Sequence, residues 1–116
     1  MSGRADFRTL TPDAVIDAVE SLGLRADGRV LALNSYENRV LRVGLEDAPA
    51  VVAKFYRPAR WSDAQIREEH AFVRQLHDEG LSVVPPLAFA GDTLQAHGEL
   101  RFALFRLQGG HAPEVL

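Results

Sequence analysis

The most informative segment of the chain is Ala50-Val51-Val52-Ala53-Lys54-Phe55-Tyr56. Val, Phe and Tyr favour extended backbone, so the stretch predicts a β-strand with Lys54 at its centre. A lysine among apolar residues is unusual, because lysine is rarely buried without a partner. One interpretation is that Lys54 extends its alkyl stem to solvent from an edge strand. The other is that a carboxylate meets it.

A carboxylate is available on the helix predicted to follow, from Ser62 to about Glu79. Ser62 and Gln65 have the spacing of a capping box, and a glycine follows the end of the helix. At about 100° per residue, Glu69 falls inside the apolar stripe of this helix. That stripe consists of Ile66, Phe72, Val73 and Leu76.

We expect Glu69 to be buried and to lie within about 4 Å of Lys54, with Glu68 turned away. A buried charge is costly unless an opposite charge or hydrogen bonds compensate it, so each residue explains the other. Outward movement of the helix would lengthen the distance between Lys54 and Glu69 without contradicting the family assignment. An exposed Glu69 would contradict both the pair and a kinase interpretation, and the alternative is that Glu69 lies at the rim of the stripe.

The rest of the chain supplies a helix and further strands around this core. Thr11-Pro12-Asp13 predicts a helix start, and Gly23 predicts its end. Short turn segments separate the first three strands, which favours an antiparallel meander. The strands are predicted at residues 29–33, 39–45, 50–56, 83–90 and 100–107. The class is α+β, an antiparallel sheet with helices on one side.

Composition places the chain among soluble globular proteins of one domain. It has 116 residues, a net charge of -3 and no cysteine, so neither a basic nucleic-acid footprint nor a disulfide is expected. No apolar run is long enough to span a membrane, and the cytoplasm is the expected location. We expect a flexible tail at 1–10 and one domain at 11–116. The four histidines are expected at the surface, without a metal site.

Three separated segments resemble a known family. Val52-Ala53-Lys54 resembles the strand-three lysine motif of kinases, and residues 67–76 resemble the αC helix of the aminoglycoside phosphotransferase-like superfamily. Residues 33–40, 54–58 and 65–70 more closely resemble the bacterial stress response kinase A group (YihE/RdoA). The resemblance implies a protein-kinase-like N-lobe with five main strands, from a cytoplasmic Ser/Thr protein kinase that uses ATP and Mg²⁺.

The resemblance also implies roles for individual residues. Lys54 would hold the ATP phosphates and Glu69 would orient Lys54. Leu104 would lie at the back of the adenine pocket. The phosphate-covering loop, which has no glycine here, would be Asn34, Ser35, Tyr36, Glu37 and Asn38. The backbone that bonds the adenine edge would be Phe105, Arg106 and Leu107.

The catalytic Asp and the metal ligands of this family belong to a C-terminal lobe, and no such motif occurs in this sequence. We therefore expect the chain alone to be inactive and to bind ATP weakly. The partners implied are ATP, a protein substrate of the two-lobed enzyme, and a second copy through the uncovered face around residues 102–107 and Phe55.

Two alternatives remain: the small lobe of a homoserine, choline or aminoglycoside type kinase, and a non-catalytic interaction module. Reading the encoding DNA past codon 116 distinguishes a continuing kinase frame from a stop.

Overall fold

The computed structural model describes residues 10–33, 38–58 and 60–107. Its elements are α1 (Pro12–Glu20), β1 (Ala26–Ala32), β2 (Arg39–Leu45), β3 (Val51–Phe55), α2 (Asp63–Asp78), β4 (Gln95–His97) and β5 (Leu100–Arg106). The strands form one antiparallel sheet in the order β1-β2-β3-β5-β4. This α+β arrangement, with its initial meander, confirms the predicted class. No helix in the described part is long and apolar enough to cross a membrane.

Both helices begin where local side-chain chemistry predicts. The Thr11 hydroxyl accepts a hydrogen bond from the Ala14 N–H at 3.1 Å, and Pro12 occupies the first turn. At α2, the Ser62 hydroxyl accepts from the Gln65 N–H at 3.0 Å, while the Gln65 side chain accepts from the Ser62 N–H at 2.9 Å. These contacts satisfy N–H groups that have no partner within a helix, which fixes both start points.

The predicted fourth strand at residues 83–90 was wrong. Pro86 and Phe89 form only isolated bridges, to Phe105 and Asp92 respectively. Pro85 and Pro86 have no N–H to donate, so this segment cannot continue a ladder. Its Leu87 N–H does donate to the Leu104 carbonyl at 2.7 Å. The strand that pairs with the start of β5 is β4, one turn further along the chain.

The larger core lies between α1 and one face of the sheet. Val15, Ala18 and Val19 of α1 pack against alternate residues of β2, β3 and β5. In this core the rings of Phe55 and Phe102 stack, with centroids 5.0 Å apart. Alternation along a strand places neighbouring residues on opposite faces, so Lys54 and Ala103 belong to the other face.

The second face is covered by α2, so the expectation that both helices lie on one side was wrong. Every residue of β3 is buried, which requires cover on both faces. The second cluster is smaller, and its buried members are Tyr56, Ile66, Leu94 and Ala103. Trp61 and Phe105 pack at its margin. Polar contacts complete this interface.

Candidate functional site

Lys54 lies at the centre of the face that α2 covers. It pairs in register with Val40 on β2 and with Ala103 on β5, so it stands on an internal strand rather than at a sheet edge. Only 9% of its surface is exposed. Its Nζ is 5.2 Å from the centroid of the Tyr56 ring, within range of a cation–π interaction. The predicted burial of Lys54 is therefore confirmed.

The ammonium group of Lys54 is the part of this buried side chain that reaches solvent. Within the described residues, Lys54 has no hydrogen bond and no ion pair. No buried side-chain nitrogen or oxygen there lacks a partner, so the Nζ must reach solvent. The positively charged ammonium of Lys54 therefore reaches solvent beside largely apolar side chains, where an anion could bind.

Glu69 does not occupy the predicted position. It is exposed, and the residues of α2 that are buried are Ile66 and His70. Phe72, placed in the buried stripe by the helical wheel, is 58% exposed. The packed face of α2 is thus rotated away from Glu69, and both its predicted burial and its ion pair with Lys54 are wrong for this structure. Glu68 is also exposed.

Glu69 nevertheless lies within electrostatic reach of the Lys54 region. Burial raises the pKa of the Tyr56 hydroxyl far above its usual value, and the negative charge of Glu69 raises it further. Lys54 lies over the ring of the same tyrosine. The charges of Glu69 and Lys54 therefore lie near the same tyrosine but form no ion pair with each other.

His70 is the residue that sequence reasoning missed, since it was expected at the surface. It is 5% exposed, and its Nε2 is 2.8 Å from the Tyr56 hydroxyl. Its Nδ1 is 2.7 Å from the Thr93 hydroxyl. Burial lowers the pKa of His70 to about 4, and the positive charge of Lys54 acts in the same direction. The one available signal was its spacing of four residues from Ile66.

The remaining predicted site residues divide between the two faces. Leu104 is fully buried in the α1 core, on the face away from Lys54, whereas Phe105 joins the α2-side cluster. A pocket beside Lys54 would therefore lie on the face of Ala103 and Phe105 rather than on that of Leu104. Arg106 ends β5, and Leu107 follows it.

Part of the predicted phosphate-covering loop can be placed. Asn34, Ser35, Tyr36 and Glu37 lie outside the described residues. The side-chain oxygen of Asn38 accepts a hydrogen bond from the Arg57 N–H at 3.2 Å. This contact ties the end of the loop to the segment that leaves β3, close in sequence to Lys54.

Part of the face expected to be uncovered is covered by α1. Phe55 and Phe102 have no exposed surface, and the large exposed apolar residues in the described part are Leu31, Phe72 and Leu81. Self-association stays a prediction, but Phe55 and Phe102 cannot mediate it in this conformation.

A groove of about 340 Å³ lies between the end of α2 and residues 83–88. Arg74 and His77 contribute from α2, and Arg106 from β5. Of the predicted nucleotide-binding residues in the described part, it contains Arg106 alone. The groove is therefore separate from the surface around Lys54.

Residues 29–115, well over half of the chain, match the Phosphotransferase enzyme family (APH). The chain belongs to this family. An exposed Glu69 is thus compatible with a kinase-like phosphotransferase, and the contrary expectation was wrong.

Named relatives agree with this assignment. Stress response kinase A of Salmonella choleraesuis (strain SC-B67) is 48% identical over 109 residues, which cover 94% of this chain and 33% of the relative. Serine/threonine protein kinase RdoA of Salmonella typhimurium (strain LT2) and Stress response kinase A of Escherichia coli (strain K12) are each 47% identical over the same shares. The chain spans about a third of the length of these curated relatives.

Proposed function

We propose that this phosphotransferase-family chain is the ATP-binding small lobe of a Ser/Thr protein kinase of the stress response kinase A type. In the two-lobed enzyme it would help transfer the γ-phosphate of ATP to a protein hydroxyl. The names of relatives that are 47–48% identical over 94% of the chain support the kinase class.

The observation that carries this proposal is the environment of Lys54. Its stem is buried on an internal strand, and no carboxylate of the described residues forms an ion pair with it. A strand lysine in this position binds nucleotide phosphates in protein kinases. An ammonium at an apolar surface suits that role, because low local polarity strengthens its attraction to an anion.

The residues around Lys54 would complete a nucleotide-binding surface. Val40 and Ala103 flank Lys54 on the neighbouring strands, and both are buried. Phe105, which is half-buried on the same face, would offer apolar contact to a base, whereas Val40 and Ala103 have almost no surface left for a ligand. Glu69 would orient Lys54 after a rotation of its side chain, with α2 staying in place.

When bound, ATP would supply the phosphoryl group, and Mg²⁺ would offset the negative charge of its phosphates. No group of three or more His, Asp or Glu residues in the described part could hold a metal ion. In the kinase family that the sequence resembles, the Mg²⁺ ligands belong to the C-terminal lobe, and we expect them there in the two-lobed enzyme.

The test is transfer of labelled γ-phosphate by the two-lobed protein to serine or threonine of a mixed protein substrate. Lys54→Met should reduce the rate by about a hundredfold or more, because it removes a preorganised charge. Arg25→Met, which removes an exposed cation paired with Glu46, is the matched control and should leave the rate unchanged.

Transfer to choline, homoserine or an aminoglycoside instead of protein would contradict the Ser/Thr assignment. Transfer that survives Lys54→Met would contradict the proposed role of the strand lysine. Absence of any transfer by the wild-type two-lobed protein would contradict the kinase proposal as a whole.

A further inference from the structure

A continuous chain of three side chains runs from the sheet through α2 to the turn before β4. The Tyr56 hydroxyl is 2.8 Å from His70 Nε2, and His70 Nδ1 is 2.7 Å from the Thr93 hydroxyl. Tyr56 and His70 are each only 5% exposed. Both hydrogen bonds therefore lie largely shielded from water, where their geometry matters most.

This chain lies directly beside the two residues of the predicted catalytic pair. Tyr56 is two residues beyond Lys54 and faces the same side of the sheet. His70 follows Glu69 on α2. One hydrogen bond thus connects the strand that carries Lys54 to the helix that carries Glu69.

The rest of the α2 interface constrains the helix weakly. Ile66 is the one fully apolar residue of α2 that is buried in the described structure. The ion pairs Arg67–Asp92 (2.8 Å) and Arg101–Asp63 (3.4 Å) lie at the exposed rim. Apolar contacts tolerate sliding, whereas hydrogen bonds between buried groups prefer one distance and direction.

We propose that the Tyr56–His70–Thr93 chain fixes the position of α2, and with it Glu69, relative to Lys54 for phosphoryl transfer. These three are positioning residues that act through Glu69 and Lys54. The inference rests on the proposed kinase function. A neutral imidazole suits the role because one ring nitrogen donates and the other accepts, so each contact has a defined direction.

The test compares variants of nearly unchanged shape in the two-lobed protein. Tyr56→Phe and Thr93→Val each remove one hydroxyl, and each should lower kcat by about tenfold while leaving KM for ATP within about twofold. The decisive measurement repeats Tyr56→Phe in a Glu69→Gln background. If the tyrosine acts through Glu69, the second substitution should cause no further fall in kcat.

Hydrogen exchange on the 116-residue chain distinguishes a specific effect on the position of α2 from a general destabilisation of the fold. Tyr56→Phe should accelerate exchange of the α2 amides by about tenfold and leave α1 unchanged. The matched control is Ser21→Ala, which removes a hydroxyl bonded to the Ala18 carbonyl at the end of α1. It should leave α2 exchange and kcat unchanged.

An active wild type with an unaffected Tyr56→Phe variant would overturn this inference alone. So would a Tyr56→Phe loss that adds in full to the loss caused by Glu69→Gln, since a purely structural link produces that result. A wild-type two-lobed protein without any phosphoryl transfer would overturn the proposed function, and the inference with it.

Discussion

The two faces of the sheet are joined to their helices by different kinds of contact. On one face, α1 packs through an entirely apolar cluster around the stacked rings of Phe55 and Phe102. On the other, α2 packs through a smaller cluster and through polar contacts of His70 and Arg67. Apolar burial scales with area and supplies stability, whereas hydrogen bonds add little net free energy but fix geometry. On the face that carries Lys54, the contacts therefore fix the position of the helix more than they add to stability.

The largest difference should appear when each core loses a large side chain. Phe102→Ala should lower the free energy of unfolding by about 3–5 kcal/mol, because it leaves a cavity in the α1 core. Ile66→Ala, on the α2 side, should cost less. Urea unfolding followed by Trp61 fluorescence measures both, with the exposed Phe72→Ala as a control that should stay within about 0.5 kcal/mol of wild type.

A greater loss from Ile66→Ala than from Phe102→Ala would reverse the comparison. If Phe102→Ala does not fold, Phe102→Leu is compared with Ile66→Val, a truncation of similarly small size, and the same ranking is expected.

A second difference should appear with pH, because the α2 face contains a buried histidine. The pKa of His70 is about 4 in the folded chain and near 6.5 when unfolded. Between these values the unfolded state binds more protons, so stability is complete above pH 6.5 and falls as the pH drops toward 4. The loss from His70 should be up to about 3 kcal/mol.

His70→Gln isolates this contribution in urea unfolding at a series of pH values. The variant should be less stable at pH 7 but should show a flatter profile between pH 6.5 and 4. The carboxyls of Asp27 and Asp92, whose pKa values are lowered by Arg29 and Arg67, lose their contribution only below this window. A His70→Gln profile parallel to that of wild type would refute the assignment.

The smallest difference concerns the two helix caps, which form a matched pair. Thr11→Ala at α1 should lower the free energy of unfolding by about 1 kcal/mol. Ser62→Ala removes an equivalent contact at α2 but should lower global stability less and mainly accelerate α2 hydrogen exchange. Equal global losses from the two variants would mean that α2 is as tightly coupled to the fold as α1.

The sequence predicts the elements that local chemistry controls. The bounds of β2 match the prediction, and both helix starts lie at the predicted caps. Burial of Lys54 also follows from its apolar neighbours. The strand predicted at residues 83–90 is not formed, although its two prolines already argued against a hydrogen-bonded ladder.

Local sequence does not predict which face of each helix or strand is buried. The period of the α2 stripe is clear from the sequence, but its centre depends on the burial of His70. That burial depends on Tyr56 and Thr93, which are 14 and 23 residues away in sequence. Likewise, β5 is apolar on both faces, so its alternation does not reveal that Leu104 faces α1.

Nucleotide binding at the face around Lys54 can be measured directly by titrating the ¹⁵N-labelled chain with ATP and following amide chemical shifts. We expect changes at Lys54, Val40 and Ala103 and along α2, with α1 unaffected, and loss of these changes in Lys54→Met. Shifts confined to α1, or a Lys54→Met variant that responds like wild type, would contradict the claim that the face around Lys54 binds nucleotide phosphates.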